Sequence, residues 1–191
     1  MAHLKFRILV VLLLVMITGR EVMAQLPLDT ILLPTGFTQQ QLNSMIDLEA
    51  DTSGNIWASF SSIGVLHYDG TSWQNFTKSN TGNMLPTDTV YAMHLEKNGT
   101  LWMLTRYGIT RKDASGFSFF PTDTSFLLPV SFSSDITVAR GQVFISSRTG
   151  VFVYDLNADI WQQVRRSNSP LPGDTVNSVF TDPSDNVWVA T

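Results

Sequence analysis

Two sets of anchor residues share one period, and four short strand-like segments lie between successive anchors; together they predict an all-β fold, a β-propeller of four-stranded blades. The aromatic anchors Trp57, Trp102, Phe144 and Trp188 recur in steps of 45, 42 and 44 residues. The glycines Gly64, Gly108 and Gly150 recur in steps of 44 and 42, and an aspartate follows each by five residues, at Asp69, Asp113 and Asp155. A period in the low forties fits propeller blades or helical HEAT and armadillo units. After residue 25 no helical stripe of useful length survives the turn residues, so the helical solenoid fails on periodicity.

The elements follow in order. In the first unit the strand-like segments are 44–50, 55–60, 64–69 and 72–77; in the second they are 90–96, 100–105, 108–113 and 117–120. Between the first and second segments lie Asp51-Thr-Ser-Gly-Asn55, Glu96-Lys-Asn-Gly-Thr100 and Asp182-Pro-Ser-Asp-Asn186. Such runs tolerate positive φ or bond their own backbone, which makes hairpin turns. Asp69-Gly70 and Ser115-Gly116 punctuate the third-to-fourth junction. A Trp or Phe on each second strand would fill the wedge between neighbouring blades, and a glycine opening each third strand marks a bend or a close approach of backbones. The linkers Leu85-Pro86-Thr-Asp88-Thr-Val90 and Leu171-Pro172-Gly-Asp174-Thr-Val176 match at an offset of 86 residues, two blade lengths.

The pattern Asp51-x-x-Gly54-Asn-Ile-Trp57, Gly64-Val-Leu-x-Tyr68-Asp69-Gly70 and Trp73-x-x-Phe76, with the Asn80/Leu85-Pro86 linker, resembles the two-component regulator propeller repeat of bacterial sensor and secreted proteins. The likeness spans about residues 40 to 191 and recurs in register. Unit three departs from it: Phe144 stands for the Trp, the first hairpin shrinks to Ala139-Arg140-Gly141-Gln142, and the preceding linker, 121–133, is atypical.

The expected organisation is a signal peptide over 1–24, a lead-in over 25–42 with room for one outer strand, and a partial propeller over 43–191. Its blades are placed at 43–88, 89–133 and 134–174, with a half blade at 175–191, about three and a half in all. Lys5 and Arg7 precede an apolar run from Ile8 to Ile17, and Val22-Met23-Ala24 offers a cleavage site. That run is ten residues, where a membrane span needs about twenty. The last segment, Val187–Thr191, falls in the second strand of a fourth unit, so a fragment of a longer propeller is expected. Residues 25–42 would supply at most one further strand.

Composition narrows function. The 191 residues are 43% hydrophobic and 15% charged, which excludes a disordered charged tail. No cysteine is present, so disulfides, Cys-based zinc sites, thiol catalysis and an N-terminal lipid-modified Cys are excluded. Without residues 1–24 the chain keeps nine basic and fifteen acidic groups, a net charge of −6. Nucleic acid, which needs a basic footprint, is not an expected partner.

No cofactor, metal site or catalytic set is expected. His67 and His94 have no spacing that joins them. Asp51-Thr-Ser-Gly-Asn lacks most ligands of a calcium loop and reads as a turn. One aspartate per blade at one position, as at Asp69, Asp113 and Asp155, points to a turn role. The candidate ligand-binding residues are Arg106, Tyr107 and Arg148, on loops between second and third strands, which should open on the face of the blade linkers. Two guanidiniums and a tyrosine on a common rim suit a carboxylate or sulfate on a sugar; the competing assignment is ordinary solvated arginines. The resulting expectation is an exported, non-enzymatic propeller that binds an oligosaccharide or a protein, in a sensor or a secreted surface protein. The resemblance implies the sensor and, through it, polysaccharide breakdown products. The second class, a lyase-type propeller enzyme, needs histidines and acids converging on the central funnel.

Overall fold

The structure, a computed structural model, describes residues 34–122, 128–131 and 134–191. The chain divides into two units at Gly36, and every strand below belongs to the second, Phe37–Thr191. The expected signal peptide, residues 25–33 and much of the linker at 121–133 lie outside the described residues.

Each of the first three repeats folds into a four-stranded antiparallel sheet whose strands pair in chain order. The first sheet holds β1 (Met45–Ala50), β2 (Ile56–Phe60), β3 (Val65–Tyr68) and β4 (Trp73–Phe76). The second holds β5 (Ala92–Leu95), β6 (Leu101–Thr105), β7 (Gly108–Asp113) and β8 (Gly116–Pro121). The third holds β9 (Ile136–Ala139), β10 (Gln142–Ser147), β11 (Gly150–Asp155) and β12 (Ile160–Val164), and a final pair is β13 (Ser178–Thr181) with β14 (Val187–Ala190). First strands touch in succession, β1 with β5, β5 with β9 and β9 with β13. Stacked sheets whose first strands line the inside are the blades of a propeller. Among the described residues three blades have four strands each, and the fourth has two.

Turn chemistry sets each hairpin. Asp51 Oδ1 accepts from the amides of Ser53 (2.8 Å) and Asn55 (3.0 Å), and Asn55 Nδ2 donates to Asp51 Oδ2 at 2.6 Å. Asp182 holds Ser184 and Asn186 in the same way. In the third blade Ala139 pairs directly with Gln142, and Arg140 and Gly141 carry φ of 53° and 73°. Two successive positive φ values make a two-residue hairpin turn that matches strand twist. The repeated aspartates close the third-to-fourth junctions: Asp69 Oδ1 accepts from Thr71 and Ser72 N–H, Asp113 Oδ1 from Ser115, and Asp155 Oδ1 from Asn157 and Ala158.

The core lies between blades. Trp57, Val65, Phe76, Leu85, Val90, Met93, Leu101 and Met103 join the first to the second. Trp102, Leu104, Ile109, Ile136, Val143, Ile145 and Phe152 help to join the second to the third, with Leu128 and Val130 of the linker between them. Val151, Val153, Val176 and Val179, with Phe144 against them, join the third to the fourth. Two carboxylates, Asp47 on β1 and Asp135 just before β9, tie blades together as well. Asp47 Oδ2 accepts from Met93 N–H at 2.7 Å, and Asp135 Oδ2 from the Ser178 hydroxyl at 2.8 Å.

Residues 25–33 of the lead-in, with room for the expected outer strand, lie outside the described residues. The part that is described forms one helical turn, α1 (Gln39–Leu42), because Thr38 and Gln41 cap each other's backbone amides. Phe37 and Leu42 then pack on the first blade's other face, against the cluster of Ala58, Phe60, Ile63 and Leu66. Trp188 holds the anchor position on the second strand of its unit and is 63% exposed. Trp57 and Trp102, at 5% and 2%, each have the next blade over them, whereas among the described residues β14 pairs only with β13.

Candidate functional site: the linker-side rim

The third-strand glycines determine the shape of the rim. A Cβ on Gly64, Gly108 or Gly150 would sit 2.0, 2.2 and 2.2 Å from the carbonyl oxygens of Phe76, Phe120 and Val164. That is far inside van der Waals contact, so the end of each fourth strand can close on the second-to-third turn only where a side chain is missing.

The turns after β6 and β10 are built alike. Thr105 Oγ1 donates to Gly108 O at 3.0 Å and accepts from Tyr107 N–H at 3.2 Å. Ser147 Oγ donates to Gly150 O at 2.8 Å and accepts from Thr149 N–H at 3.1 Å. The buried hydroxyl locks the turn and leaves the next side chain, Arg106 or Arg148, pointing to solvent as an exposed residue. Neither guanidinium has a hydrogen bond or ion pair among the described residues. Tyr107 is 44% exposed.

Linkers cross the same rim. Val90 N–H donates to Phe60 O at 3.2 Å and Val176 N–H to Ser147 O at 2.9 Å, while Leu128 N–H donates to Arg106 O at 3.0 Å. The matched linkers also share internal bonds. Asp88 Oδ1 accepts from Lys78 N–H and Asp174 Oδ1 from Arg166 N–H. Asn80 and Asn168 each bridge the strand end before them, accepting from Thr77 and Arg165 amides and donating to Asn75 and Gln163 carbonyls.

Between two linkers, above the third blade, lies a cleft of about 370 Å³ lined by Ser131, Ser134, Ser147, Arg148, Thr175, Val176 and Asn177. It takes in Arg148 but not Arg106 or Tyr107. Sequence spacing pointed to the arginine and missed the hydroxyl and amide groups around it. The available signal was the linker match itself: Val90 and Val176 are equivalent, and their acceptors Phe60 and Ser147 differ sharply in size.

The remaining candidates sit elsewhere. His67 lies face to face with Trp57 inside the first blade, and its imidazole is held below the usual histidine range by burial and by the nearby Lys112 charge. His94 is on β5 in another sheet, opposite Trp102 in register. The turn carboxylates are held low by the groups they accept from: Asp51 foremost by the Asn55 side chain, Asp69 by Ser72 N–H and Asp155 by Ala158 N–H. Among the described residues no group of three or more His, Asp or Glu side chains could hold a metal ion.

Solved structures with this arrangement exist. The extracellular domain of the hybrid two-component system BT3049 from B. thetaiotaomicron superposes with a TM-score of 0.63 at 19% identity, over 82% of this chain and 22% of that one. That of BT4673 from the same organism superposes with a TM-score of 0.55 at 21% identity, over 78% and 19%. This chain has the fold of those sensor domains. No family model and no curated protein matches it. The chain spans about a fifth of the length of these two structures.

Proposed function

We propose that the chain is a non-enzymatic binding propeller, acting outside the cytoplasm as the sensory part of a two-component-type signalling protein, with its ligand on the linker-side rim. The observation that carries this reading is the repeated arginine, whose guanidinium has no partner among the described residues. Arg106 and Arg148 occupy one position in successive blades, each raised by a hydroxyl-locked turn that serves the backbone and not the guanidinium. A charged group held out by a rigid turn contributes little to folding and is available to a ligand. The shared fold with extracellular sensor domains supports the location and the sensory role. Export also fits the apolar segment and small-residue site before Gln25. Binding is favoured over catalysis because His67 is stacked within a blade and His94 lies in another sheet.

A guanidinium recognises carboxylate or sulfate through paired N–H donors, and Tyr107 offers a ring for a sugar face. An acidic oligosaccharide is the proposed ligand, with a protein carrying acidic side chains as the alternative occupant. The experiment is a glycan array followed by calorimetry. Arg106→Ala combined with Arg148→Ala should weaken the selected ligand by about 2 kcal/mol or more, since charge-assisted hydrogen bonds are worth about 1.5–3 kcal/mol each. Undiminished binding in the double variant would remove the rim from the reading.

A further inference from the structure

We infer that the cleft above the third blade is the ligand subsite proper, and that it takes a single carboxylate flanked by hydroxyl groups, with Arg148 as the one cation among its described lining residues. This rests on the binding role proposed above and narrows it to one place and one chemistry.

The argument starts from the internal repeat, which supplies its own control. In the first blade the position that accepts the linker amide is Phe60, 3% exposed, packed among Ala58, Ile63 and Leu66 with Phe37 and Leu42 against them. Behind it, Ser61 N–H donates to Ser44 O, closing the approach to β1 onto the turn. The linker threonine, Thr89, donates its hydroxyl to Ser61 O at 2.7 Å. At that place the Phe60 ring is spent on packing and the Thr89 hydroxyl on the backbone.

The third blade keeps the backbone bond, Val176 N–H to Ser147 O, and changes what surrounds it. Ser147 stands where Phe60 stands, Arg148 where Ser61 stands, and Asn177 where Tyr91 stands. Of the chain approaching β9, the described residues Ser131 and Ser134 line the cleft, where the first blade has a helical turn with Leu42 packed on it. Thr175, the equivalent of Thr89, is exposed. Removing the Phe60 ring and its cover opens a space, and the residues that replace them are small and polar. An apolar void would be a packing defect; a void lined by hydroxyls, an amide and one guanidinium is a recognition surface.

The lining fixes the chemistry. It holds one cation and no carboxylate, so one negative charge is matched and a second is not. Ser147 Oγ is spent on its own turn, donating to Gly150 O and accepting from Thr149 N–H, and Ser134 Oγ accepts from Ser131 N–H and keeps its proton to donate; the Thr175 hydroxyl and the Asn177 amide can each donate and accept. Hydroxyl groups beside the carboxylate are what such a lining can pair. A uronic acid residue and a small α-hydroxy acid share that chemistry.

The test is a titration of the intact protein followed by amide NMR, with glucuronate, lactate, glucose and inorganic sulfate as separate probes. Glucuronate should shift the amides of Ser147, Arg148, Thr175 and Asn177, and glucose should not. Arg148→Gln should weaken glucuronate about tenfold or more, while Lys97→Gln, at an exposed position in the β5–β6 hairpin turn, should leave it unchanged. Lactate binding as tightly as glucuronate would assign the source to hydroxy acids; weaker binding would assign it to uronates, and either supports the site. Sulfate equalling glucuronate would overturn the role of the hydroxyls. Shifts confined to Arg106 and Tyr107 would overturn the cleft and leave the rim reading standing. Acidic glycans that shift no rim amide at all would overturn both.

Discussion

Trp57 and His67 lie face to face across β2 and β3, ring centroids 3.7 Å apart and planes within 14° of parallel. The pair is a cross-strand contact in register, and Phe76 continues the stack at 5.9 Å from Trp57. Burial favours the neutral imidazole, and the charge of Lys112, 5.5 Å above the Trp57 ring, disfavours the cation further.

A pH dependence follows. In the unfolded chain His67 takes up a proton near pH 6.5, but in the fold only at a lower pH. Between these values the unfolded chain binds more protons, so stability is full above about pH 6.5 and falls as pH drops through that window. His67→Phe keeps a stackable ring and removes the titration. Melting temperature should fall less between pH 7.5 and 5 in this variant than in the wild type. Equal losses would exclude His67 as the source.

The aromatic anchors should rank by cover. Trp102 is buried between the second and third blades and donates its indole N–H to Glu96 Oε2 at 2.9 Å. Trp102→Ala is expected to cost about 3–5 kcal/mol, the range for a truncated buried aromatic, and Trp102→Phe about 1 kcal/mol for the lost hydrogen bond. Trp188 makes the same bond, to Asp182 at 2.9 Å, but is 63% exposed. Trp188→Ala should cost about 0.5 kcal/mol or less. Urea unfolding of the three variants checks the order, and a Trp188 effect as large as that of Trp102 would contradict it.

The same contrast explains what could be read from residue order. Strands, hairpins and the blade period are legible because alternation and turn residues act locally: Asp51-x-x-x-Asn55 makes its turn whatever lies beyond it. The positions of Arg106 and Arg148 come from spacing alone. Trp188's exposure is not legible, since burial depends on the neighbouring sheet and not on the side chain. The helical turn at Gln39–Leu42 rests on a local signal, the Thr38–Gln41 capping box, but four residues are too few for a period. The cleft was hidden because it depends on how two linkers pass over one turn. Only setting Phe60 against Ser147 points to it.

The rim glycines are the next prediction. Gly108 has φ of 140° and a Cβ there would meet Phe120 O at 2.2 Å, whereas Gly54 has φ of 88° and nothing within 4 Å. Gly54→Ala should therefore cost about 1 kcal/mol for backbone conformation alone. Gly108→Ala adds displacement of the β8 end and should cost clearly more, with the amides of Phe120 and Pro121's neighbours exchanging faster. Hydrogen exchange on both variants gives the comparison, and similar effects would mean that the close approach relaxes freely.

The last prediction isolates a hydrogen bond by its effect on a proton. Asp182 is held at about 2, first by the indole N–H of Trp188 and then by the backbone and side chain of Asn186. Its carboxylate is solvent-exposed, so the depression comes from donated hydrogen bonds that favour the charged form and not from burial. Asp51 provides the comparison: the same turn and the same Asn partner, with Trp57 turned instead to His67. Trp188→Phe should raise the Asp182 value toward that of Asp51, and Asn186→Ala should raise it by a smaller step. Because the folded value lies below the unfolded one, the carboxylate's contribution is present above about pH 4 and is lost as pH falls toward 2. Carbon-13 titration of the side-chain carboxyls reads each value directly. An Asp182 value that stays near 2 in Trp188→Phe would show that the turn amides, and not the indole, hold the charge.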